Sequence, residues 1–278
     1  PFHSFADMFN GEGIISTNKE FIWAMSSGSV YSYTKHSFPV GFGGWGGMSV
    51  PQRVVDCFLM MDGRDIHNAS AEYPYVADLN QTIGTNKVLG SYQLRGDVPK
   101  MYDNRSARFY ASIGFPGRLW TMNSASSDAS YINQQFWYSH DDSKAGLAGA
   151  GSNVNDYNIS GYTPVKYIHP DDSWAGGKGN VKGSFITSPK PYAEVLREYV
   201  EALNNVTGTV TVTTPDMTGT DVEVTVSRDV QEMAKYFNMI RYRVGLPGPS
   251  LSDMNDASRF EQIVRNERQV ELFNEGYR

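Results

Sequence analysis

Few residues in this sequence are spaced to do chemistry, and their spacing excludes most reactions. Glu267, Glu271 and Glu275 recur every four residues, which stacks three carboxylates on one helix face. A glycosidase needs two carboxyls about 5–10 Å apart across a cleft, in environments of different polarity. A stripe on one helix, with Arg265, Arg268 and Arg278 close in sequence to neutralise it, fits a structural ion network better. The histidines His3, His36, His67, His140 and His169 form no HxxxH or HExxH pair. His140-Asp141-Asp142 and His169-Pro170-Asp171-Asp172 offer oxygens that a hard cation such as calcium accepts, but no DxDxDG loop is present, and exposed acidic turns account for both clusters. Cys57, the single cysteine, lies at an apolar helical position between Val55 and Phe58, where a core thiol is the expectation. No GxSxG elbow occurs. The glycine-rich stretch 41–47 lacks the GK[ST] ending of a phosphate loop. No catalytic residue, metal or cofactor is expected.

What the sequence does supply is flat side chains. Seventeen Tyr, fourteen Phe and five Trp make 13% of the residues. Trp23, Trp45, Trp120, Trp137 and Trp174 all fall near Gly, Ser, Asn or Asp, and Tyr31-Ser32-Tyr33 and Phe136-Trp137-Tyr138 add clusters. Rings with a polar tip suit sugar faces or peptide side chains. Most single rings serve as packing anchors, but at least one cluster is expected to line a ligand site.

Elements must position these rings. At 278 residues the chain forms one large domain or two small ones and buries a core without disulfides. With 24 basic against 30 acidic residues it has a net charge of −6, which argues against nucleic acid as a partner. No apolar run approaches the roughly 18–20 residues that span a bilayer. Apolar residues at Tyr192, Val195, Leu196, Tyr199, Val200 and Leu203 predict an amphipathic helix after Pro191, with Glu194, Arg197, Glu198 and Glu201 on its outer face. A second helix is predicted from about Asp229 to Val244, capped by Ser227 or Asp229 and stopped by Gly245 and Pro247. A third begins near Ser258 or Arg259. Between the first two, the valine–threonine alternation over 209–226 predicts a β-hairpin insert. Toward the N-terminus, 20–25 reads as a short strand, 51–60 as a short helix, and 108–113 as a strand because Phe109, Ala111 and Ile113 alternate with Arg108, Tyr110 and Ser112. Residues 121–160, rich in Ser, Asn, Gly and Ala, read as a long surface loop. Beginning at Pro1-Phe2-His3 and stopping directly after a helix pattern, the chain reads as part of a longer polypeptide.

Six segments in order resemble the SusD/RagB family of Bacteroidetes nutrient-binding lipoproteins. Asn18-Lys19-Glu20-Phe21-Ile22-Trp23 is similar to its N-x-E-x-I-F/W segment, and Pro51, Val55, Asp56 and Phe58 with Asp62-Gly63 to its P-x-x-x-V-D-x-F…D-G segment. Tyr102 to Ile113 resembles Y-x-N-R-D-P-R-F-Y-A-x-I, with Ser106-Ala107 where Asp-Pro is usual. Tyr192-Ala193-Glu194-Val195-Leu196 through Asn204 resembles R-Y-A-E-V-L-L-x-Y-A-E-A-x-N, with Pro191 where Arg is usual. Asn238, Arg241, Arg243, Gly245, Leu246 and Pro247 match N-x-x-R-x-R-A-G-L-P, and Ile263, Glu267, Arg268, Glu271, Leu272, Glu275, Gly276 and Arg278 match I-x-x-E-R-x-x-E-L-x-x-E-G-x-R.

The resemblance implies a mainly α fold. Tetratricopeptide-like helix pairs at 189–278, interrupted by the 209–226 hairpin, would support a loop-rich ligand-binding region at 1–188, all within one SusD-like domain. It implies no catalysis. It implies a cell-surface protein of the outer membrane, held by an N-terminal lipid anchor absent from this chain. Such a protein captures oligosaccharides, or in some members peptides, for a SusC-like TonB-dependent transporter. Ligand-contacting loops in the family often follow the N-x-E-x-I-F segment, which places Tyr31, Tyr33 and Trp45 first and Trp120, Trp137 and Tyr138 second. A glycoside hydrolase is the reading from another class.

Overall fold

The computed structural model describes residues 1–12, 18–120, 134–138, 156–174 and 184–276. A short helix α1 (Phe2–Ala6) precedes strand β1 (Phe21–Ser29). The buried Val30 then turns the chain into α2 (Tyr31–Ser37). Pro39 ends α2 by forcing Phe38 into an extended conformation, at φ −72° and ψ 140°.

The helix predicted over 51–60 is shorter, α3 (Gln52–Asp56). Its end is fixed from outside. The buried Arg105 donates from Nη2 to the carbonyls of Val55 (2.7 Å) and Phe58 (2.8 Å), groups that a helix terminus leaves open. A small hairpin follows, β2 (Lys87–Leu89) paired with β3 (Tyr92–Leu94).

The strand predicted over 108–113 is instead a helix, α4 (Ala107–Ser112), followed by the two-residue strand β4 (Ile113–Gly114). Period-2 alternation marks a strand only when one face meets water. Here Arg108, Phe109, Tyr110, Ala111 and Ser112 are all buried, so the alternation has no solvent face to report. Strand β5 (Arg118–Trp120) pairs with β6 (Gln134–Phe136), and β4 with β7 (Thr163–Pro164). β1 pairs antiparallel with the distant β8 (Ser184–Pro191) through an irregular register. The described part of 121–160 is therefore more structured than the predicted loop, since it includes β6.

The C-terminal layer consists of α5 (Tyr192–Asn205), α6 (Val230–Tyr242), α7 (Leu251–Asn255) and α8 (Ala257–Glu271). All three predicted helices are present, and α5 packs on both α6 and α8. Val200, Leu203, Met233, Phe237, Phe260 and Val264 form their shared core. Asp229 caps α6 by accepting from the amides of Gln231 (2.8 Å) and Glu232 (3.0 Å). α5 opens at Pro191, which has no capping side chain, and the cap comes from Glu20. Its carbonyl accepts from Tyr192 N (2.6 Å), and its Oε1 accepts from Ala193 N (2.9 Å).

The predicted outer face of α5 is partly wrong. Glu194 and Arg197 are buried, whereas Tyr192, Val195 and Tyr199 of the predicted apolar stripe are exposed. Arg197 makes a two-pronged pair with Glu194, both bonds 2.8 Å, and this mutual neutralisation lets both enter the interior. The 209–226 insert is the expected hairpin. β9 (Thr209–Pro215) pairs in register with β10 (Asp221–Ser227), and nearly every residue in it faces solvent. No helix among the described residues is long and apolar enough to cross a membrane.

Candidate ligand-binding platform

Tyr31 opens α2, and Lys35 follows one turn later on the same face. The chain then doubles back through the glycine-rich 41–47, and here glycine is a requirement. A Cβ on Gly44 would lie 2.1 Å from the Phe38 carbonyl oxygen, and one on Gly47 would lie 2.7 Å from His36 Nδ1. Gly43 and Gly46 take left-handed φ values of 79° and 58°. The loop can therefore lie flat on α2. Trp45 N donates to Lys35 O (2.7 Å), Gly46 N to Phe38 O (3.0 Å) and Met48 N to His36 O (3.1 Å).

This fold-back places Trp45 edge-on to His36, with ring centroids 4.9 Å apart. The Lys35 ammonium sits 4.2 Å from the centre of the Trp174 ring and 5.4 Å from that of Trp45, and donates to the Gly43 carbonyl (2.6 Å). Partial desolvation lowers the Lys35 pKa, against the opposing charge of Asp156. Trp174 is itself 1% exposed; it donates from Nε1 to Thr34 Oγ1 (3.2 Å) and meets Tyr31 edge-on at 4.5 Å. Tyr31 and Trp45 remain 49% and 44% exposed. Two open rings are thus held in place by a buried tryptophan and a wedged lysine.

The other expected site residues lie elsewhere. Tyr33 turns inward, edge-on to Tyr167 at 5.7 Å and accepting from Asn274 Nδ2 (3.2 Å); burial pushes its phenol pKa well up. Trp120 is 5% exposed, packed with Phe38, Phe42 and Phe136 in the cluster that also holds Trp174. Tyr138 packs against that cluster from the side. Trp137 is half-buried over Gly117, where a Cβ would lie 3.0 Å from its ring. In the sequence Trp174 stands only as one of five tryptophans beside small or polar residues, and Lys35 carries no signal of its own. The i, i+4 pairing of Tyr31 with Lys35 is a visible signal only once 31–37 is known to be helical.

Glu267 and Glu271, the nearest approach to a catalytic carboxylate pair, are buried, and Arg108, Arg241 and Arg243 hold both below the usual carboxylate range against the opposing effect of burial. Their partners differ from those expected. Arg265 pairs with Glu261 and Arg268 reaches Glu194, while Arg278 lies outside the described residues. Of the two candidate calcium clusters, 140–142 lies outside the described residues. In the other, Asp172 Oδ2 accepts from His169 N (2.9 Å), His169 Nδ1 accepts from Asp171 N (2.9 Å), and His169 Nε2 lies 3.2 Å from Glu12 Oε1. No group of three or more metal-ligating side chains converges among the described residues.

A helical layer thus packs beneath a loop-rich half that carries two exposed aromatic rings. The model of the SusD family matches residues 19–278, and the chain belongs to that family. A comparison with curated proteins found no match. Among solved structures, BT4246 superposes with a TM-score of 0.65 at 20% identity, over 94% of this chain and 39% of its own. The SusD-like protein BF3747 from Bacteroides fragilis NCTC 9343 superposes with a TM-score of 0.60 at 23% identity, over 98% of this chain and 44% of its own. The chain thus spans about two fifths of the length of these structural relatives, and the likeness is one of fold.

Proposed function

We propose that this chain belongs to a cell-surface protein of the outer membrane that captures oligosaccharides, without altering them, for a partner TonB-dependent transporter. In this reading 189–278 is the tetratricopeptide-like scaffold and 1–188 the ligand-binding region. Family membership supports the class. The observation that bears the ligand reading is the platform of Tyr31 and Trp45. Their exposed faces suit the C–H faces of sugar rings, and Lys35, beside Trp45, has N–H groups to offer hydroxyls. Each ring contributes about 0.5–1.5 kcal/mol beyond its buried area, on the scale of aromatic pairs. Trp137 and Tyr138 are second-rank contacts, reached by a longer ligand.

Calorimetric titration of candidate oligosaccharides into the whole protein tests this. Trp45→Ala and Tyr31→Ala should each weaken binding, by about tenfold together, while Tyr192→Ala, an exposed ring on α5, should not. Unchanged affinity in the double variant rejects the platform. Binding of peptides with no binding of any sugar transfers the site to peptide capture.

A further inference from the structure

The β9–β10 hairpin presents an edge that nothing guards. Elsewhere in this fold the strands are short or irregularly paired. β2, β3, β5 and β6 are three residues long, and the β1–β8 ladder is interrupted by register shifts. Short strands and bulges keep one sheet edge from pairing with another. β9 has neither device. Its ladder with β10 runs from Thr209 to Pro215 without a shift, and β10 is its one strand neighbour among the described residues. Every residue of β9 is exposed. The run Thr209-Val210-Thr211-Val212-Thr213 carries no charge and no Pro.

The turn fixes which backbone groups point outward. Asp216 N donates to Thr220 O (2.8 Å), so these two residues face each other as a hydrogen-bonded pair. Such pairs alternate along an antiparallel ladder. Thr214, Val212 and Val210 therefore bond to β10, while the N–H and C=O groups of Thr209, Thr211 and Thr213 point to the open edge. Pro215, which has no N–H to give, lies beyond them.

That edge is its own complement. T-V-T-V-T reads the same in both directions about Thr211. A two-fold axis through Thr211 lays a second copy of β9 antiparallel to the first, with Thr211 opposite Thr211 and Thr209 opposite Thr213. Each outward N–H then meets an outward carbonyl. The same rotation sets Val210 of one copy beside Val212 of the other, in the closer, non-hydrogen-bonded position where β-branched pairs stabilise a sheet. The outer edge of β10 has no such symmetry, and it carries Asp221 and Glu223, which a copy of itself repels.

We propose that the open edge of β9 is a docking surface for a second copy of this chain, joining the two hairpins into one four-stranded antiparallel sheet. A lone two-stranded ribbon is marginal in water, and further strands sharing its valine face relieve that. The contact is small beside the standard interface of about 800 Å² per partner, so the dimer is weak and reversible. The core of α5, α6 and α8 holds the monomer without it.

Sedimentation velocity of the whole protein between about 1 μM and about 1 mM tests this. The expected result is a reversible monomer–dimer equilibrium. Val212→Lys puts an ammonium opposite Val210 of the second copy and should raise the dissociation constant by about tenfold. Glu223→Lys changes only the edge of β10 and should not weaken the dimer. For the register, Val210→Cys and Val212→Cys chains, each in a Cys57→Ala background, are mixed and mildly oxidised. The mixed disulfide should form in preference to either symmetric one, because these positions face each other only across the pair. A protein that stays monomeric up to about 1 mM, a dimer that survives Val212→Lys, a dimer weakened by Glu223→Lys, or cross-linking without regard to position overturns the proposal.

Discussion

Arg108 of α4 and Glu271 of α8 meet at 2.8 Å although 163 positions separate them in the chain. They are the centre of an interior ion network that joins the loop-rich half to the helical layer. Arg108 also reaches Glu267 (2.6 Å), which Arg241 shares (3.0 Å). Arg243 links Glu271 to Glu20, and Lys166 holds Glu275 at 2.6 Å. Four cations thus face four carboxylates. The three-glutamate stripe that would be self-repelling on an isolated helix is what this fold uses to clamp α8 to α4, α6 and the segment before α2.

Breaking that clamp at one partner leaves buried charge uncompensated. Arg108→Met should therefore cost about 3–5 kcal/mol of unfolding free energy. Arg265→Met removes an exposed pair with Glu261 and should cost no more than about 1 kcal/mol. Urea denaturation of the two variants in parallel checks the contrast; similar losses would show that the network contributes no more than a surface pair.

The network also predicts an unusual pH profile. Arginine neighbours hold Glu267 and Glu271 below their ordinary value near 4.5, so their contribution is present at neutral pH and is lost as acid protonates them. Burial raises Glu20 and Glu275 instead, outweighing the nearby Arg243 and Lys166. A raised carboxyl stabilises the fold below its unfolded pKa, and that contribution is lost as pH rises through the folded value. Stability should accordingly rise from neutral pH into weak acid and then fall in stronger acid. Glu20→Gln mimics the protonated form and keeps the acceptor for Ala193 N, so it should flatten the rise and leave the acid limb. Thermal melts across pH 3–8, a span of about five units around the ordinary carboxylate values, decide it.

Which features could be read in the sequence follows from where their causes lie. α5, α6 and α8 are set by residues one turn apart, and the hairpin by neighbours in one short run, so local patterns suffice. α4 reads as a strand because total burial leaves the helix no polar face. Glu194 and Arg197 read as solvent-facing because their pairing depends on a two-pronged geometry that composition does not convey. Arg108 as partner of Glu271, Glu20 as the cap of α5, and Trp174 beneath Tyr31 are all long-range meetings, and nothing local to any of these residues announces them. The platform is half legible: Tyr31 and Trp45 stand out as rings beside small residues, while Lys35, against Trp45 and Trp174, does not.

The glycine loop makes the platform sensitive to a single methyl group. Gly44→Ala would put a Cβ 2.1 Å from a backbone oxygen that cannot swing aside, so the loop must lift from α2 and Trp45 must leave Lys35. The expected result is a loss of oligosaccharide affinity comparable to Trp45→Ala and a stability cost of about 1–3 kcal/mol. Full affinity in Gly44→Ala would mean that the ligand does not depend on the position of this ring.

The exposed hairpin gives the opposite expectation. Val210 faces Val226, and Val212 faces Val224, so one side of β9–β10 is apolar. Only Val226, at the base, packs on the core of α5, α6 and α8. Isolated two-stranded hairpins are marginal in water, so this one adds little to the stability of the fold that bears it. Replacing 209–225 with a short Gly-Ser linker shortens a loop whose ends are already adjacent, and should change unfolding free energy by less than about 1 kcal/mol. Urea denaturation of the whole protein measures this. A loss of several kcal/mol would mean that the valine face of the hairpin is covered in the full-length molecule, and that the hairpin belongs to an interface rather than to an open surface.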